Sequence, residues 1–161
     1  VRGDCGSDPM SIVNFAKQRF REEKDAGDPF EQVYCVFDKD GHRTYEQALN
    51  TIASSTPRDV YFVINSVPCF EYWLLLHFVY TTRPYTALPG NSSGNQVLTE
   101  LKKYIPDYEK GSRKIFSGLI AQLEQAKRFA ERALQESQRI QTDNPSTHVH
   151  KLVQILQDLQ S

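Results

Sequence analysis

Two short apolar runs, Gln32 to Phe37 and Asp59-Val60-Tyr61-Phe62-Val63-Ile64, set the limits on how this chain can fold. Both are compact and rich in β-branched and aromatic side chains, so both read as strands. Helix-like sequence flanks each of them. Asp8-Pro9 opens a first helix: Asp caps free amides, and Pro takes the first turn, where its missing N–H costs nothing. Ile12, Val13, Phe15, Ala16 and Phe20 continue it as an apolar stripe, and Asp25-Ala26-Gly27 stops it. Between the runs, Tyr45 to Ala53 returns to helix with Tyr45, Ala48, Leu49 and Ile52 on one face, and a helix from Cys69 to Tyr80 follows the second run. Helix, strand, helix, strand, helix is the order of βαβ units and a parallel sheet. The near-continuous second run is of the kind buried on both faces of such a sheet. Two strands seldom make a stable sheet alone. Val1-Arg2 reads as the end of another strand, and further strands are expected ahead of Val1.

The second half changes character. Arg83 to Asn95 carries prolines, glycines and small polar residues and reads as a loop. Ser93 with Gln96 fits a capping box for a helix through Tyr104, which Pro106 to Gly111 breaks. Ser112 then opens a long helix, with Ile115, Phe116, Leu119, Ile120, Leu123, Ala126, Ala130 and Ala133 at helical spacing, ended by Asp143-Asn144-Pro145. Ser146 is expected to cap a last helix carrying Val149, Leu152, Val153, Leu156 and Leu159. The last two helices are expected to pack as an antiparallel pair.

Composition excludes more than it assigns. With 161 residues the chain fits one domain able to bury a sizeable core. A formal net charge of -1, from 19 basic and 20 acidic residues, creates no global field that attracts nucleic acid, though a local basic patch stays open. Cys5, Cys35 and Cys69 form no CxxC pair and read as thiols of a reducing compartment. The apolar run Phe70 to Tyr80 is interrupted by Glu71 and His77 and is too short to cross a bilayer. No membrane association is expected, and the expected location is the cytoplasm.

The chemistry concentrates where the strands end. Asp38 and Asp40, two residues apart after the first strand, point to the same side of the chain. Together they suit one hard divalent cation that prefers oxygen and keeps some waters. Asp38-Lys39-Asp40-Gly41 also reads as a strand-ending turn with a helix cap. His42 is a phosphate contact or proton shuttle, or else a solvated loop histidine. Asn65 and Ser66 close the second strand, and Glu71 lies in the first turn of the helix after it. If the strands are neighbours, these groups converge on one sheet edge, where open α/β sheets place their sites.

Elsewhere the candidates are weaker. Lys110 and Arg113, with Lys102, Lys103 and Lys114, form either a basic strip for an acidic polymer or a solvated helical face. His77, Trp73, Leu74 and Phe78 read as core, and His148 and His150 as surface or packing residues. An EF-hand does not fit, because Gly41 falls two places early and Leu49 stands where a bidentate Glu belongs. Zinc spacing, a cysteine nucleophile with its base, and glycine-rich nucleotide loops are all missing from the sequence.

Four segments together resemble the RloB family. They are Val36-Phe37-Asp38-Lys39-Asp40-Gly41-His42; Ser66-Val67-Pro68-Cys69-Phe70-Glu71-Tyr72-Trp73-Leu74-Leu75-Leu76-His77-Phe78; Tyr108-Glu109-Lys110-Gly111-Ser112; and Asn144-Pro145-Ser146-Thr147-His148-Val149-His150-Lys151-Leu152-Val153. The second, running from Ser66 through FExW to HF, is the most specific. The resemblance implies a bacterial protein of restriction-modification and phage-defence loci with a Toprim-like (Rossmann-like) α/β core. That core would be a parallel sheet with flanking helices, residues 1–82 forming its C-terminal part and 83–161 a helical extension packed on it.

The resemblance further implies a nuclease or related phosphotransfer enzyme using Mg²⁺ or Mn²⁺. Asp38 and Asp40 would be the metal ligands, and a glutamate ahead of Val1 the general acid/base. Glu71 and His42 are the further catalytic candidates, and Ser66, Lys110 and Arg113 the substrate-binding ones. Nucleic acid is the expected partner, together with a defence-system protein or a second copy of the chain. The alternative is a non-catalytic module that binds a nucleotide or nucleic-acid end in the same crevice.

Overall fold

In a computed structural model, residues 6–111 and 115–159 are described. Two compact units divide the chain, Val1–Asn65 and Ser66–Ser161.

In the first unit, Asp8 caps helix α1 (Pro9–Asp25): its carboxylate accepts the Ser11 N–H at 3.2 Å, and Pro9 begins the first turn. Gly27, at φ +87°, ends the helix in a conformation that favours glycine. Strand β1 (Val33–Asp38) follows, then helix α2 (Tyr45–Ala53) and strand β2 (Tyr61–Val67). The Val33 N–H donates to the Val60 carbonyl at 2.7 Å, so β1 and β2 start side by side and run parallel, with α2 as their crossover. This is the expected βαβ unit.

Both helices cover one sheet face. Cys35 and Phe37 are buried on it, Phe20 of α1 meets Tyr61 edge-on at 5.5 Å, and Phe37 meets Tyr45 of α2 at 5.9 Å. Each such aromatic pair adds roughly 1 kcal/mol beyond its burial. Burial pushes the Cys35 thiol up to about 11, so it stays protonated and inert. The other face carries Tyr34 stacked on Phe62 at 5.4 Å and Val36, which is 44% exposed. Burial of β2 on both faces therefore holds only from Ile64 onward, while Tyr61, Phe62 and Val63 are half-buried.

In the second unit, β2 gains a further neighbour. Ser66 and Val67 pair antiparallel with Thr147 and Ser146 of a two-residue strand, β3 (Ser146–Thr147). The sheet is thus small and mixed, in the order β1-β2-β3, where an all-parallel one was expected. Ser146 consequently does not cap the last helix. Thr147 Oγ1 accepts the Val149 N–H at 3.2 Å instead, and α7 spans Val149–Asp158.

The hydrophobic centre of this unit is the short helix α3 (Glu71–Leu75). Tyr72, Trp73, Leu74, Leu75, Leu76 and His77 are all buried, and α3 packs on α4 (Ser93–Leu101), α6 (Leu123–Arg139) and β3. The helix expected over 69–80 is shorter because its end tightens. The His77 and Phe78 N–H groups donate three residues back, to Leu74 and Leu75, before the β-branched and aromatic run Val79-Tyr80-Thr81-Thr82 extends.

Other boundaries also move. Ser92, one residue earlier than expected, caps α4 by accepting the Asn95 N–H at 3.1 Å, and α4 ends at Leu101. The long helix is broken: α5 (Ile115–Leu119) gives way to a 3₁₀ turn at Ile120–Gln122 before α6. Ser117-Gly118, weak helix formers, sit just ahead of that break. Glu131 pairs with His150 and Lys127 with Gln157, so α6 and α7 lie antiparallel as expected. No helix among the described residues is long and apolar enough to cross a membrane.

Candidate functional site

Asp38 is the last residue of β1, and Lys39 to Thr44 turn the chain into α2. Gly41, at φ +73°, makes that turn possible, and the His42 N–H closes it on the Lys39 carbonyl at 2.8 Å. Asp38 and Asp40 are half-buried. Asp40 accepts no hydrogen bond and forms no ion pair among the described residues. The segment is the expected strand-ending turn, but neither aspartate caps α2, whose N-cap is Thr44 with no side-chain cap bond, and the Asp40 carboxylate is left open to a ligand.

The loop is held from α1. Asp8 accepts the Thr44 hydroxyl at 2.5 Å as well as its own capping amide, and His42 Nδ1 lies 3.9 Å from its carboxylate. The Thr44 bond is the main reason the Asp8 carboxyl sits below its ordinary range. Sequence reasoning read Asp8 as a cap alone. Its side chain also positions the loop that carries the two aspartates.

At the end of β2 the Asn65 amide, buried, donates to the Tyr45 hydroxyl at 2.5 Å. Asp38, Asp40, His42 and Asn65 thus all lie at the carboxyl ends of two parallel strands in the first unit. Two aspartates supply hard oxygen donors suited to a divalent cation that retains water. Among the described residues no group of three or more His, Cys, Asp or Glu is placed to hold a metal.

The remaining candidates belong to the second unit. Ser66 is buried, and its hydroxyl exchanges a hydrogen bond of 2.9 Å with Thr147 across β2 and β3. Glu71 is only 3% exposed. Its Oε1 accepts the Tyr108 hydroxyl at 3.0 Å, and Lys110 Nζ reaches the same oxygen at 3.4 Å. Lys110 itself is 65% exposed, so solvent screens this pair and it contributes under about 1 kcal/mol. Arg113 and Lys114 lie outside the described residues, while Lys102 and Lys103 are exposed at the end of α4. The Tyr108 and Thr147 partners were invisible in sequence because each stands far along the chain from the group it serves.

The two histidines of the second unit differ from the loop histidine. His77 is buried edge-on against Trp73 and donates Nδ1–H to the Trp73 carbonyl at 3.1 Å, a satisfied core histidine as expected. His150 is 6% exposed and shares a 2.9 Å bond with Glu131. Burial lowers the pKa of both.

A family model described as RloB-like protein matches residues 1–156, nearly the whole chain. The chain belongs to the RloB-like family. No curated protein and no solved structure matches it. In this RloB-like protein two of the resembling segments, Tyr108-Glu109-Lys110 and Phe70-Glu71-Tyr72-Trp73, meet through the Glu71 carboxylate. A third, beginning Asn144-Pro145-Ser146-Thr147, supplies β3 and a clamp in which the Asn144 amide donates to the Tyr85 carbonyl at 2.9 Å and accepts the Tyr85 N–H at 3.2 Å.

Proposed function

We propose that this RloB-like protein is a Mg²⁺- or Mn²⁺-dependent nuclease or related phosphotransfer enzyme of bacterial anti-phage defence, built on a Toprim-like core. The observation that carries the reading is the placement of Asp38 and Asp40 at the carboxyl end of β1 in a βαβ unit, with the Asp40 carboxylate uncommitted. A divalent cation there would polarise a phosphate and stabilise charge on its leaving oxygen. The chain's own groups bind and orient around it. Asp38 and Asp40 supply the oxygen donors, His42 stands on the same loop within reach of a phosphate, and Asp8 holds that loop through Thr44. Lys110 and Arg113 are proposed as substrate-binding residues, while Glu71 and Ser66, buried and hydrogen-bonded to Tyr108 and Thr147, are proposed to hold the structure of the second unit.

The test is cleavage of labelled RNA and DNA by the full-length protein with Mg²⁺ or Mn²⁺. Cleavage lost in Asp38→Ala and Asp40→Ala variants supports the reading, and cleavage unchanged in both overturns it. A second reading, a non-catalytic module that binds a nucleotide or nucleic-acid end, draws support from Glu71, whose carboxylate is already engaged by Tyr108 and Lys110. Binding that persists in EDTA with no turnover under any metal would favour it.

A further inference from the structure

One flank of α1 carries Lys17, Arg21 and Lys24 at i, i+4 and i+7, a spacing that puts three cations in a row along the helix. They line an open groove of about 650 Å³ in the first unit, completed by Phe15, Thr56 and Tyr61. Among the described residues no acidic side chain lines it. Two acids of the same helix are turned to other work: Arg19 holds Glu22 at 2.5 Å and Glu23 at 2.6 Å. None of the three groove cations forms an ion pair among the described residues; Lys17 only donates to the Ser55 hydroxyl at 3.3 Å. Arg21 and the half-buried Tyr61 line the same groove.

The α6–α7 groove of the second unit makes the contrast clear. Its lining mixes cations with the acids Glu124 and Glu131, and Lys127 pairs with Glu124 at 3.0 Å. Of these two grooves, only the α1 groove has a row of cations with no acid among its described lining residues. Such a row beside aromatic rings matches a polymer with regularly spaced negative charges and flat apolar faces.

We propose that the α1 groove binds a single strand of nucleic acid, its phosphates on Lys17, Arg21 and Lys24 and a base against the Phe15 and Tyr61 side. Helix residues 17 to 24 advance about 10 Å, enough for the cations to meet successive phosphates. Double-stranded nucleic acid hides its base faces and would leave the rings unused. The groove extends to Ser11, one turn from Asp8 and its acidic loop. Binding there needs no metal and stands whether or not that loop cleaves.

The test is fluorescence anisotropy with labelled 12-nucleotide RNA and DNA single strands in EDTA, using the full-length protein. Wild type should bind, and a K17E/R21E/K24E variant should bind at least about 10-fold more weakly. The charge-neutral K17Q/R21Q/K24Q variant should lower the slope of log K against log salt by about 2, given about 0.7 per phosphate contact on a single strand. Its thermal midpoint should lie close to wild type, since no ion pair and only the Lys17–Ser55 hydrogen bond is lost. Asp38→Ala and Asp40→Ala should bind normally, which separates this proposal from the cleavage reading. Absent binding by wild type, unchanged affinity in the charge-reversed variant, preference for the duplex, or equal binding of a polyglutamate peptide would each overturn it.

Discussion

The acidic loop of the first unit and the buried carboxylate of the second place the same chemical group in opposite circumstances. Asp40 sits half-buried on a turn and takes no partner among the described residues, while Glu71 is enclosed and its Oε1 receives both a phenol and an ammonium. A carboxylate kept open at a strand end is available to a ligand. One sealed under Tyr108 ties two distant stretches of chain together. Side-chain type alone assigns neither role; the partners do.

The largest effect should come from the acidic pair. Asp38→Ala or Asp40→Ala should cut metal-dependent cleavage at least about 100-fold, close to 3 kcal/mol of barrier, and Asp40→Ala should do so with little change in thermal unfolding. Glu71→Ala should do the reverse. It leaves the buried Tyr108 hydroxyl without its acceptor and should cost about 2 kcal/mol, seen as a midpoint roughly 4–8 °C lower in a chain of this size. Cleavage lost at an unchanged midpoint would instead move Glu71 into the reacting site and erase the contrast. Tyr108→Phe, which removes one hydrogen bond and keeps the packing, should cost about 1 kcal/mol in denaturant titration. Lys110→Ala should cost under about 0.5 kcal/mol, because its exposed ammonium is screened.

The smallest effect is a slope with pH, and it too separates the units. Burial lowers the pKa of His77 and His150 below the ordinary 6.5, so the unfolded chain binds protons more readily than the folded one. Their contribution is therefore fully present above pH 6.5 and declines as the pH falls below it. Asp8, held down mainly by Thr44, contributes above its ordinary 3.8 and loses that contribution only in stronger acid. Trp73, the single tryptophan, reports the second unit. Its fluorescence should show weaker resistance to urea at pH 5.5 than at pH 7.5, and His77→Gln should flatten that difference.

How much of this was open to reading from residues alone depended on range. The βαβ unit was plain because periodicity and caps are local: Asp8-Pro9, the α2 stripe and both strand runs carry their own signals. The acidic pair was plain for the same reason. β3 was not, since Ser146-Thr147 becomes a strand only by pairing with Val67 and Ser66, some eighty residues away. The break at Ile120–Gln122 was missed because Leu119, Ile120 and Leu123 keep helical spacing through it. The cation row on α1 has a local signature, the i, i+4, i+7 spacing, which the near-zero net charge of the whole chain masks.

Asp8 gives α1 a second office. The helix is a rod of 17 residues, about 26 Å long, and the same carboxylate that starts it also grips the turn bearing Asp38 and Asp40. Rod and turn thus share one rivet. A tilt of α1 would pull on the acidic turn at that rivet, and Thr44→Val would remove the pull while leaving α1 packed on β1 and α2.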